Sequence, residues 1–331
     1  MKFLVFADFH YKKNMYASTV KHLRQILHRA KMEDVQFCVH LGDFCNDYKN
    51  STEVVDTYLN NEYCLPVFGI YGNHELESSG NSMDFVTPLL CNQNVIFGGE
   101  DAGYWFYDVE GFRLIGLDTN YSYNPELEVW EHNRTASWGA SNGNLYESSL
   151  SPEQLNWLDD VLRDAKDKGL KVLVFSHDSV SGEWHSTPDA KSARELFAKY
   201  KGTVIMCLNG HLHTDGFCVK EDVAYFDVNS VLNGYWAVTE GHHYSKGQKF
   251  NREVIDADGN IIGFQDTEFT DLSQGENTWF FKEPLSAVVE IDSERCVKIS
   301  GANTDWAYGI VPLSEESGVK PCIENRVCKM Q

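Results

Sequence analysis

Five short blocks of acidic, amide and imidazole side chains stand out in this sequence. They are Asp8-Phe9-His10, Gly42-Asp43, Gly72-Asn73-His74-Glu75, Ser176-His177 and Gly210-His211-Leu212-His213. Together they hold enough oxygen and nitrogen ligands for two adjacent metal ions, and none contains a cysteine. Such a ligand set suits Mn, Fe or Zn and differs from the thiolate set of a closed structural zinc site. Two neighbouring ions of this kind activate water as a nucleophile and neutralise a phosphoryl group.

The spacing within the blocks favours convergence on a metal. Asp8 and His10 are two residues apart, so their side chains point to the same side of an extended backbone. His211 and His213 repeat this spacing. Asp43 follows a glycine, which permits a tight turn where a carboxylate could bridge two ions. The blocks therefore predict two ion sites built from few residues.

Apolar runs of strand length precede the blocks and must position them. The runs cover residues 3–7, 35–41, 67–71, 112–117, 171–175, 204–208 and 224–228. Near-continuous apolar strands are typical of a sheet that is covered on both faces. Because open α/β sheets bind ligands at the carboxyl ends of their strands, we expect five strand ends to meet at one site.

Helical patterns separate these strands. Ser151-Pro152-Glu153-Gln154 is a capping box with proline in the first turn, and Gly169 ends the helix that it begins. A less cleanly capped helix is predicted from about Tyr16 to Ala30, and shorter ones near 52–63 and 191–200. Beyond residue 213 the pattern becomes β-rich and includes a predicted hairpin of 287–291 with 296–300.

Length and composition limit the functions that the blocks could serve. The chain has 331 residues, which suffices for one large domain or two ordinary ones. Its net charge is −21, so a duplex nucleic acid or an anionic membrane is disfavoured as a partner. A small phosphorylated substrate, which could be a nucleotide, is compatible with this charge because bound divalent ions make a pocket locally positive. No apolar run of about 18 residues is present to cross a membrane.

Two features of the sequence bear on the cellular compartment of the protein. Met1 leads directly into a strand that ends at Asp8, and a cleaved signal peptide would remove this ligand, so we expect a cytoplasmic protein. The nine cysteines have no regular spacing and no CxxC pair, which predicts reduced core thiols. Cys322 and Cys328 are the one pair whose position suggests a bridge, and we favour free thiols there too.

With these motifs in view, the chain resembles the calcineurin-like metallophosphoesterase superfamily. The matching motifs are DxH, GDxx(D/N), GNH(E/D), H and GHxH, in that order over residues 8 to 213. The resemblance implies an α/β fold, an α+β four-layer sandwich of two mixed β-sheets flanked by helices, with a dimetal site at the carboxyl ends of the strands. It implies two divalent or mixed-valence transition metal ions, which are Mn, Fe or Zn.

The resemblance also implies a role for each residue. One metal ion would be held by Asp8, His10, Asp43 and His213. The other would be held by Asp43, Asn73, His177 and His211. His74 falls on the catalytic histidine of the family, which faces the leaving-group oxygen and is not a ligand. The implied reaction is hydrolysis of a small phosphodiester or phosphomonoester, in which a hydroxide between the metals attacks phosphorus in line.

The residues that follow Asp43 indicate which branch of the superfamily the chain resembles. Purple acid phosphatases, one branch of the superfamily, carry a tyrosine three residues after the bridging aspartate, where this chain has Asn46. Tyr48 is out of register, so we do not expect an iron-tyrosinate centre. The segment looks more like the branch that contains bacterial cyclic-nucleotide phosphodiesterases and uncharacterised phosphohydrolases. Asp47 either orients a ligand histidine or caps the following helix.

Residues 119–150 form a predicted insertion on the substrate side. Its aromatic and imidazole side chains are Tyr121, Tyr123, Trp130, His132, Trp138 and Tyr146. They either stack on a nucleobase or sugar, or only pin the loop to the body of the protein. Trp184-His185 and His242-His243 are weaker candidates for contacts with the substrate. We expect one catalytic domain over 1–331, with 240–331 as a β-rich C-terminal extension.

Two alternatives to a phosphoesterase of small substrates remain. A nuclease of the same superfamily is disfavoured by the net charge of −21 and the lack of basic stripes. A non-catalytic metal-binding scaffold on the same fold is disfavoured because His74 and every ligand are present.

Overall fold

The computed structural model describes most of the chain. The described residues are 1–11, 18–77, 82–100, 102–124, 127–132, 149–182, 190–234, 249–255, 261–268, 279–307 and 320–330. Within them, two mixed β-sheets pack face to face and helices cover both outer faces. This arrangement confirms the predicted fold class.

The first sheet has six strands. Their spatial order is β19 (Arg326–Lys329), β18 (Cys296–Gly301), β17 (Ala287–Ile291), β1 (Lys2–Phe6), β2 (Phe37–His40) and β3 (Val67–Gly69). The strands β1, β2 and β3 are parallel, whereas β17 to β19 are antiparallel and join the edge of β1. The predicted hairpin near residue 290 is therefore present and extends the sheet that carries the first ligands.

The second sheet has seven strands. Their order is β11 (Gly216–Lys220), β12 (Val223–Asp227), β10 (Val204–Asn209), β9 (Lys171–Ser176), β6 (Phe112–Gly116), β5 (Trp105–Val109) and β4 (Ile96–Phe97). The four strands β12, β10, β9 and β6 are parallel, and the strands at both edges are antiparallel. The ends of β6, β9 and β10 therefore lie side by side.

Three further strand pairs lie outside the large sheets in the described residues. They are β7 (Tyr121–Asn124) with β8 (Val129–His132), β13 (Asn233–Gly234) with β16 (Trp279–Phe280), and β14 (Lys249–Ile255) with β15 (Ile261–Glu268). The predicted insertion thus contains a hairpin. The strands β14 to β19 agree with the β-rich pattern of the C-terminal region.

Six α-helices are present in the described residues. They are α1 (Val20–Met32), α2 (Thr52–Leu59), α3 (His74–Glu77), α4 (Met83–Val86), α5 (Pro152–Asp167) and α6 (Ala190–Lys199). Short 3₁₀ helices cover Tyr48–Asn50 and Thr87–Leu89. In the described part of the chain, no helix combines the length and apolarity that a bilayer-spanning helix needs.

The ends of α1 and α2 differ from the sequence prediction, since the helix predicted near 52–63 ends at Leu59. The helix α1 begins at Val20 because Thr19 is extended and its hydroxyl accepts a hydrogen bond from the amide of His22. The predicted start, Tyr16, lies outside the described residues. In α5 the hydroxyl of Ser151 caps the helix as expected, but the side chain of Gln154 bonds to the backbone of Asp118 and not back to Ser151.

One hydrophobic core joins the two sheets. The rings of Phe3 on β1 and Phe175 on β9 meet edge to face, with 6.1 Å between their centroids. The buried face of α1 packs on the outer side of the first sheet through Val20, Leu23, Ile26, Leu27 and Ala30, as the helical periodicity predicts. A second core lies between the second sheet and the helices α5 and α6.

Candidate metal centre

The predicted ligands converge where strands of both sheets end. Asp8, Asp43 and Asn73 follow the parallel strands β1, β2 and β3. His177 and His211 follow the parallel strands β9 and β10 of the second sheet. Because the sheets face each other, these five ends form one cluster of donors, which His10 and His213 complete.

The two sheets are joined directly at this cluster. The Nδ1 atom of His177 donates to the carbonyl of Leu41 at 2.7 Å. Gly42 has a φ of +89°, and a Cβ atom there would lie 2.6 Å from the Nδ1 of His177 and from the amide of Gly72. Only glycine fits this position, because a side chain would push the two sheets apart.

Five of the predicted ligand residues have a left-handed backbone. Their φ angles are +54° for Asp8, +48° for His10, +53° for Asp43, +67° for His211 and +50° for His213. This conformation is uncommon for residues other than glycine and is concentrated at functional sites. It turns the chain sharply at each strand end and directs the ligand side chain inward.

The first group of donors consists of Asp8, His10 and His213. The Nδ1 atom of His10 lies 3.1 Å from the Oδ1 of Asn46, which leaves Nε2 available for a metal. This Nε2 atom lies 3.1 Å from the Nε2 of His213, and the latter is 3.4 Å from the Oδ1 of Asp8. Two nitrogens bound to one ion at about 2.0–2.1 Å are separated by roughly this distance.

The second group consists of Asp43, Asn73, His177 and His211. The Nε2 atom of His177 lies 3.1 Å from the amide oxygen of Asn73 and 3.4 Å from the Oδ2 of Asp43. His211 packs against His177 with 5.0 Å between the ring centroids, and its donor atom falls within the same group. Oxygen and imidazole ligands again dominate, as a divalent transition metal requires.

Asp43 stands between the two groups. Its Oδ2 atom lies 3.7 Å from the Nε2 of His10 and 3.4 Å from the Nε2 of His177, so one oxygen faces an imidazole of each group. Its Oδ1 atom accepts a hydrogen bond of 2.8 Å from the amide of His74. This geometry suits a carboxylate that bridges two ions.

His74 lies at the open side of the cluster. Its side chain is 17% exposed, compared with 3% for that of Asp43, and its Nε2 atom is 3.9 Å from the Oδ2 of Asp43. The ring contacts that of His10 edge to face at 4.7 Å. The donors of His74, His10 and Asp43 also lie close enough to form a group of their own. The role of His74 as a residue outside the ligand set therefore stays a prediction.

Asp43 and the imidazoles of the cluster shift one another's pKa values. Burial opposes ionisation of Asp43, but the neighbouring His177 holds the pKa of that carboxyl well below its usual range. Burial likewise opposes a positive His177, yet Asp43 raises the pKa of its imidazole well above the ordinary value. Burial and His74 lower the pKa of His10 to about 4. Neutral His10 and ionised Asp43 are the forms that bind metal.

Glu75 fixes the loops that carry two of the ligands. Its carboxylate is fully buried, and each oxygen accepts two hydrogen bonds. The donors are the amides of Asp43, Phe44 and Gly72, at 2.8, 2.7 and 2.6 Å, and the hydroxyl of Tyr48 at 2.9 Å. Burial and the charge of Asp43 raise the pKa of Glu75 to about 7, whereas the four donors favour the ionised form.

The residues after Asp43 have distinct positions. Asn46 contacts the ring of His10 from behind the cluster, and Tyr48 is buried against Glu75, away from the ligand atoms. Asp47 accepts hydrogen bonds from the backbone and side chain of Asn50. It therefore caps the 3₁₀ helix, which was one of its two predicted roles.

Asp178 and Thr119 were missed in the sequence. The Oδ1 atom of Asp178 lies 3.7 Å from the Nε2 of His211, and its Oδ2 atom accepts a hydrogen bond from the hydroxyl of Thr119. At 3.7 Å the carboxylate acts on the imidazole through its charge and not through a hydrogen bond. The only signal for Asp178 was its position next to His177 at a strand end.

Other predicted candidates have different outcomes. His132 is buried against Asp118, and Tyr121, Tyr123 and Trp130 lie on the hairpin of β7 and β8. Trp138, Tyr146, Trp184, His185, His242 and His243 lie outside the described residues. All nine cysteines are free thiols, including Cys322 and Cys328. Only Cys38, Cys45 and Cys207 among them are buried, so the remaining six are not core residues.

Comparison with known proteins identifies the family. A model of the calcineurin-like phosphoesterase family matches residues 1–215. A manganese-dependent ADP-ribose/CDP-alcohol diphosphatase of Danio rerio is 23% identical over 255 residues, which cover 64% of this chain and 78% of that protein. The Bos taurus protein of the same name is 26% identical, with 62% of this chain and 72% of that protein covered.

Two further similarities agree with this family. Sphingomyelin phosphodiesterase 2 of Caenorhabditis elegans is 23% identical over 63% of this chain, although the match spans only 35% of that longer protein. The crystal structure of a dimetal phosphatase from Danio rerio has the same fold, with a TM-score of 0.60, 16% identity and coverage of 100% of this chain and 99% of that one. The chain belongs to the calcineurin-like phosphoesterase family and is a dimetal-dependent phosphoester hydrolase.

Proposed function

We propose that this enzyme cleaves a phosphodiester or phosphoanhydride bond in a small nucleotide, with Mn²⁺ as its metal. The observation that carries the proposal is the pair of donor groups that share Asp43. The names of the manganese-dependent diphosphatases, which act on ADP-ribose and CDP-alcohols, support the substrate class. The net charge of −21 disfavours duplex nucleic acid as a substrate.

The ligand assignment is part of this proposal. Asp8, His10, Asp43 and His213 would hold one ion, and Asp43, Asn73, His177 and His211 the other. When bound, the ions supply a nucleophilic water at neutral pH and neutralise the phosphoryl oxygens. The donor set fits this role, because hard oxygens and borderline imidazoles suit Mn²⁺ better than a thiolate site would.

The residues of the chain have separate tasks. Asn46 and the carbonyl of Leu41 hold the rings of His10 and His177, so that each presents Nε2 to the centre. His74 lies at the open side, where it would donate a proton to the leaving oxygen. A general acid placed in this way contributes about 10²- to 10⁴-fold to the rate.

The experiment compares metal-free and Mn²⁺-loaded protein on four substrates. These are bis(p-nitrophenyl) phosphate, p-nitrophenyl phosphate, ADP-ribose and duplex DNA. We expect hydrolysis of ADP-ribose and of the diester with Mn²⁺ only, and its loss in Asp43→Asn. Degradation of DNA in preference to the small substrates would establish the nuclease instead. A Mn²⁺-replete protein that hydrolyses none of the four would be a scaffold.

The cytoplasmic location, the single domain over 1–331 and the absence of a membrane partner stay predictions. Cell fractionation of the native protein tests the location, since recovery with a membrane or secreted fraction would contradict it. Limited proteolysis of the Mn²⁺-loaded protein tests the domain prediction, because a stable fragment that retains activity would indicate a second domain.

A further inference from the structure

The hairpin of β7 and β8 has one aromatic face. In the antiparallel register, Tyr121 lies opposite His132, and Tyr123 lies opposite Trp130. Because side chains alternate along a strand, these four residues share one side of the hairpin. The opposite side is mostly polar and includes a hydrogen bond between Asn124 and Glu131. We call this element the aromatic hairpin.

The inner end of the aromatic hairpin is fixed to the body of the protein. The Nε2 atom of His132 lies 2.6 Å from the Oδ2 of Asp118, and the two side chains are 4% and 0% exposed. Burial opposes ionisation of Asp118, but His132 keeps the pKa of that carboxyl below its usual value. Tyr121 packs edge to face on His132, with 4.9 Å between the ring centroids. This end therefore fulfils the anchoring role that the sequence left open.

The outer end is exposed to solvent. Tyr123 is 46% exposed, and its ring centroid lies 5.8 Å from that of the half-buried Trp130. Leu127 precedes the second strand and is 64% exposed, whereas Val129 is 44% exposed and lies on the opposite side of the hairpin, across from Asn124. Three of the eight large exposed hydrophobic side chains in the described residues thus lie on one short hairpin. Of the three, only Tyr123 is assigned by the register to the aromatic face, so its exposed ring is the candidate contact surface.

The aromatic hairpin starts beside the metal centre. Its first strand begins two residues after Thr119, whose hydroxyl donates to Asp178. The other oxygen of Asp178 lies 3.7 Å from the Nε2 of His211. Four residues of extended chain, from Thr119 to Tyr123, span at most about 14 Å. Tyr123 is therefore at most this far from Thr119, which follows the end of β6 beside the metal centre.

We propose that Tyr123 and Trp130 stack on the base of a nucleotide whose phosphate lies at the metal centre. This inference rests on the proposed function and specifies its substrate class as base-containing. A base suits the site because it is planar and uncharged, so the acidic surface does not repel it. Stacking of a base requires the face of an aromatic ring, and Tyr123 and Trp130 provide such rings at the outer end of the hairpin.

The first experiment uses two substrates with the same leaving group. Thymidine 5′-(p-nitrophenyl phosphate) carries a base, and methyl p-nitrophenyl phosphate does not. In Tyr123→Ala and Trp130→Ala we expect kcat/KM for the thymidine ester to fall about 5- to 100-fold, mainly through KM, as for a base stacked on an aromatic side chain. The methyl ester should be hydrolysed as by the wild type. The matched control is Val219→Ala, which removes a 45% exposed side chain from the edge strand β11.

A second experiment measures binding without turnover. Calorimetry with Mn²⁺-loaded protein gives Kd for AMP and for ribose 5-phosphate, and the two variants should weaken only AMP. Equal effects on both ligands, or equal effects on both esters, would overturn the inference and leave the hairpin as a structural element. Failure of the wild type to hydrolyse either ester would instead count against the proposed function, while the AMP measurement still decides the role of the hairpin.

Discussion

The clearest quantitative prediction concerns Glu75, whose buried carboxylate accepts four hydrogen bonds. The change Glu75→Gln keeps the shape of the side chain but replaces one acceptor oxygen by an NH₂ group. Two of the four donors then face a donor. Because the pKa of Glu75 is raised to about 7, the test is made above about pH 8, where the carboxylate is ionised. A buried hydrogen bond to a charged group is worth about 1.5–3 kcal/mol, so the loss of two costs about 3–6 kcal/mol. A typical domain has only about 5–15 kcal/mol of unfolding free energy.

The same substitution should reduce metal affinity. The amides of Asp43 and Gly72 both donate to Glu75, and they lie at or next to the predicted ligands Asp43 and Asn73. Loss of these bonds releases both loops at the centre of the site. We therefore expect Glu75→Gln to bind Mn²⁺ about 10- to 100-fold more weakly, the range found for residues that support metal ligands.

Urea unfolding and Mn²⁺ calorimetry provide the assays. Tyr48→Phe, which removes one donor and leaves the carboxylate, should give a smaller loss of about 1.5–3 kcal/mol. Glu53→Gln on the exposed surface of α2 is the control and should change the unfolding free energy by less than about 0.5 kcal/mol. The reasoning fails if Glu75→Gln has the stability of the control and an unchanged affinity for Mn²⁺.

Three further substitutions separate the roles within the site. Asp43→Asn should lower the content of both metals and the activity together, since its Oδ2 atom faces both donor groups, and elemental analysis with a turnover assay checks this. His74→Ala should keep both metals and slow poor leaving groups most; equal slowing across a leaving-group series would refute its role as a general acid. Asp178→Asn should weaken Mn²⁺ binding because it removes a negative charge 3.7 Å from the Nε2 of His211, and an unchanged calorimetric titration would contradict this.

The sequence predicted the elements that depend on local patterns. The strand β10 was expected over 204–208 and covers Val204–Asn209, because a continuous apolar run between polar ends defines its own limits. The buried stripe of α1 was also predicted from its periodicity. The addition of β17 to the free edge of β1 was not predicted, since the partners are almost 290 residues apart in the chain.

The sequence predicted the candidate metal ligands but not the residues that contact them. The residues Asp8 to His213 were found from their types and spacing, and the structure brings them together. Asp178 and Thr119 were not found, because a polar residue in a loop has no periodicity to distinguish it. Their relation depends on β6 and β9 being neighbours, so that residues 59 positions apart share one sheet edge. Contacts of this kind follow from strand order, which the sequence did not determine.

The left-handed backbones show why such contacts matter for catalysis. A non-glycine residue in this conformation costs of order 1–3 kcal/mol, and Asp8, His10 and Asp43 all adopt it. The strain persists only where other contacts fix the chain, and here those contacts are the amide of His211 on Asp8 and the carboxylate of Glu75 on Asp43. Hydrogen bonds within and beside the site therefore fix the backbone at these predicted ligands. Because the backbone is already arranged before an ion binds, less binding free energy is lost in reorganising the site.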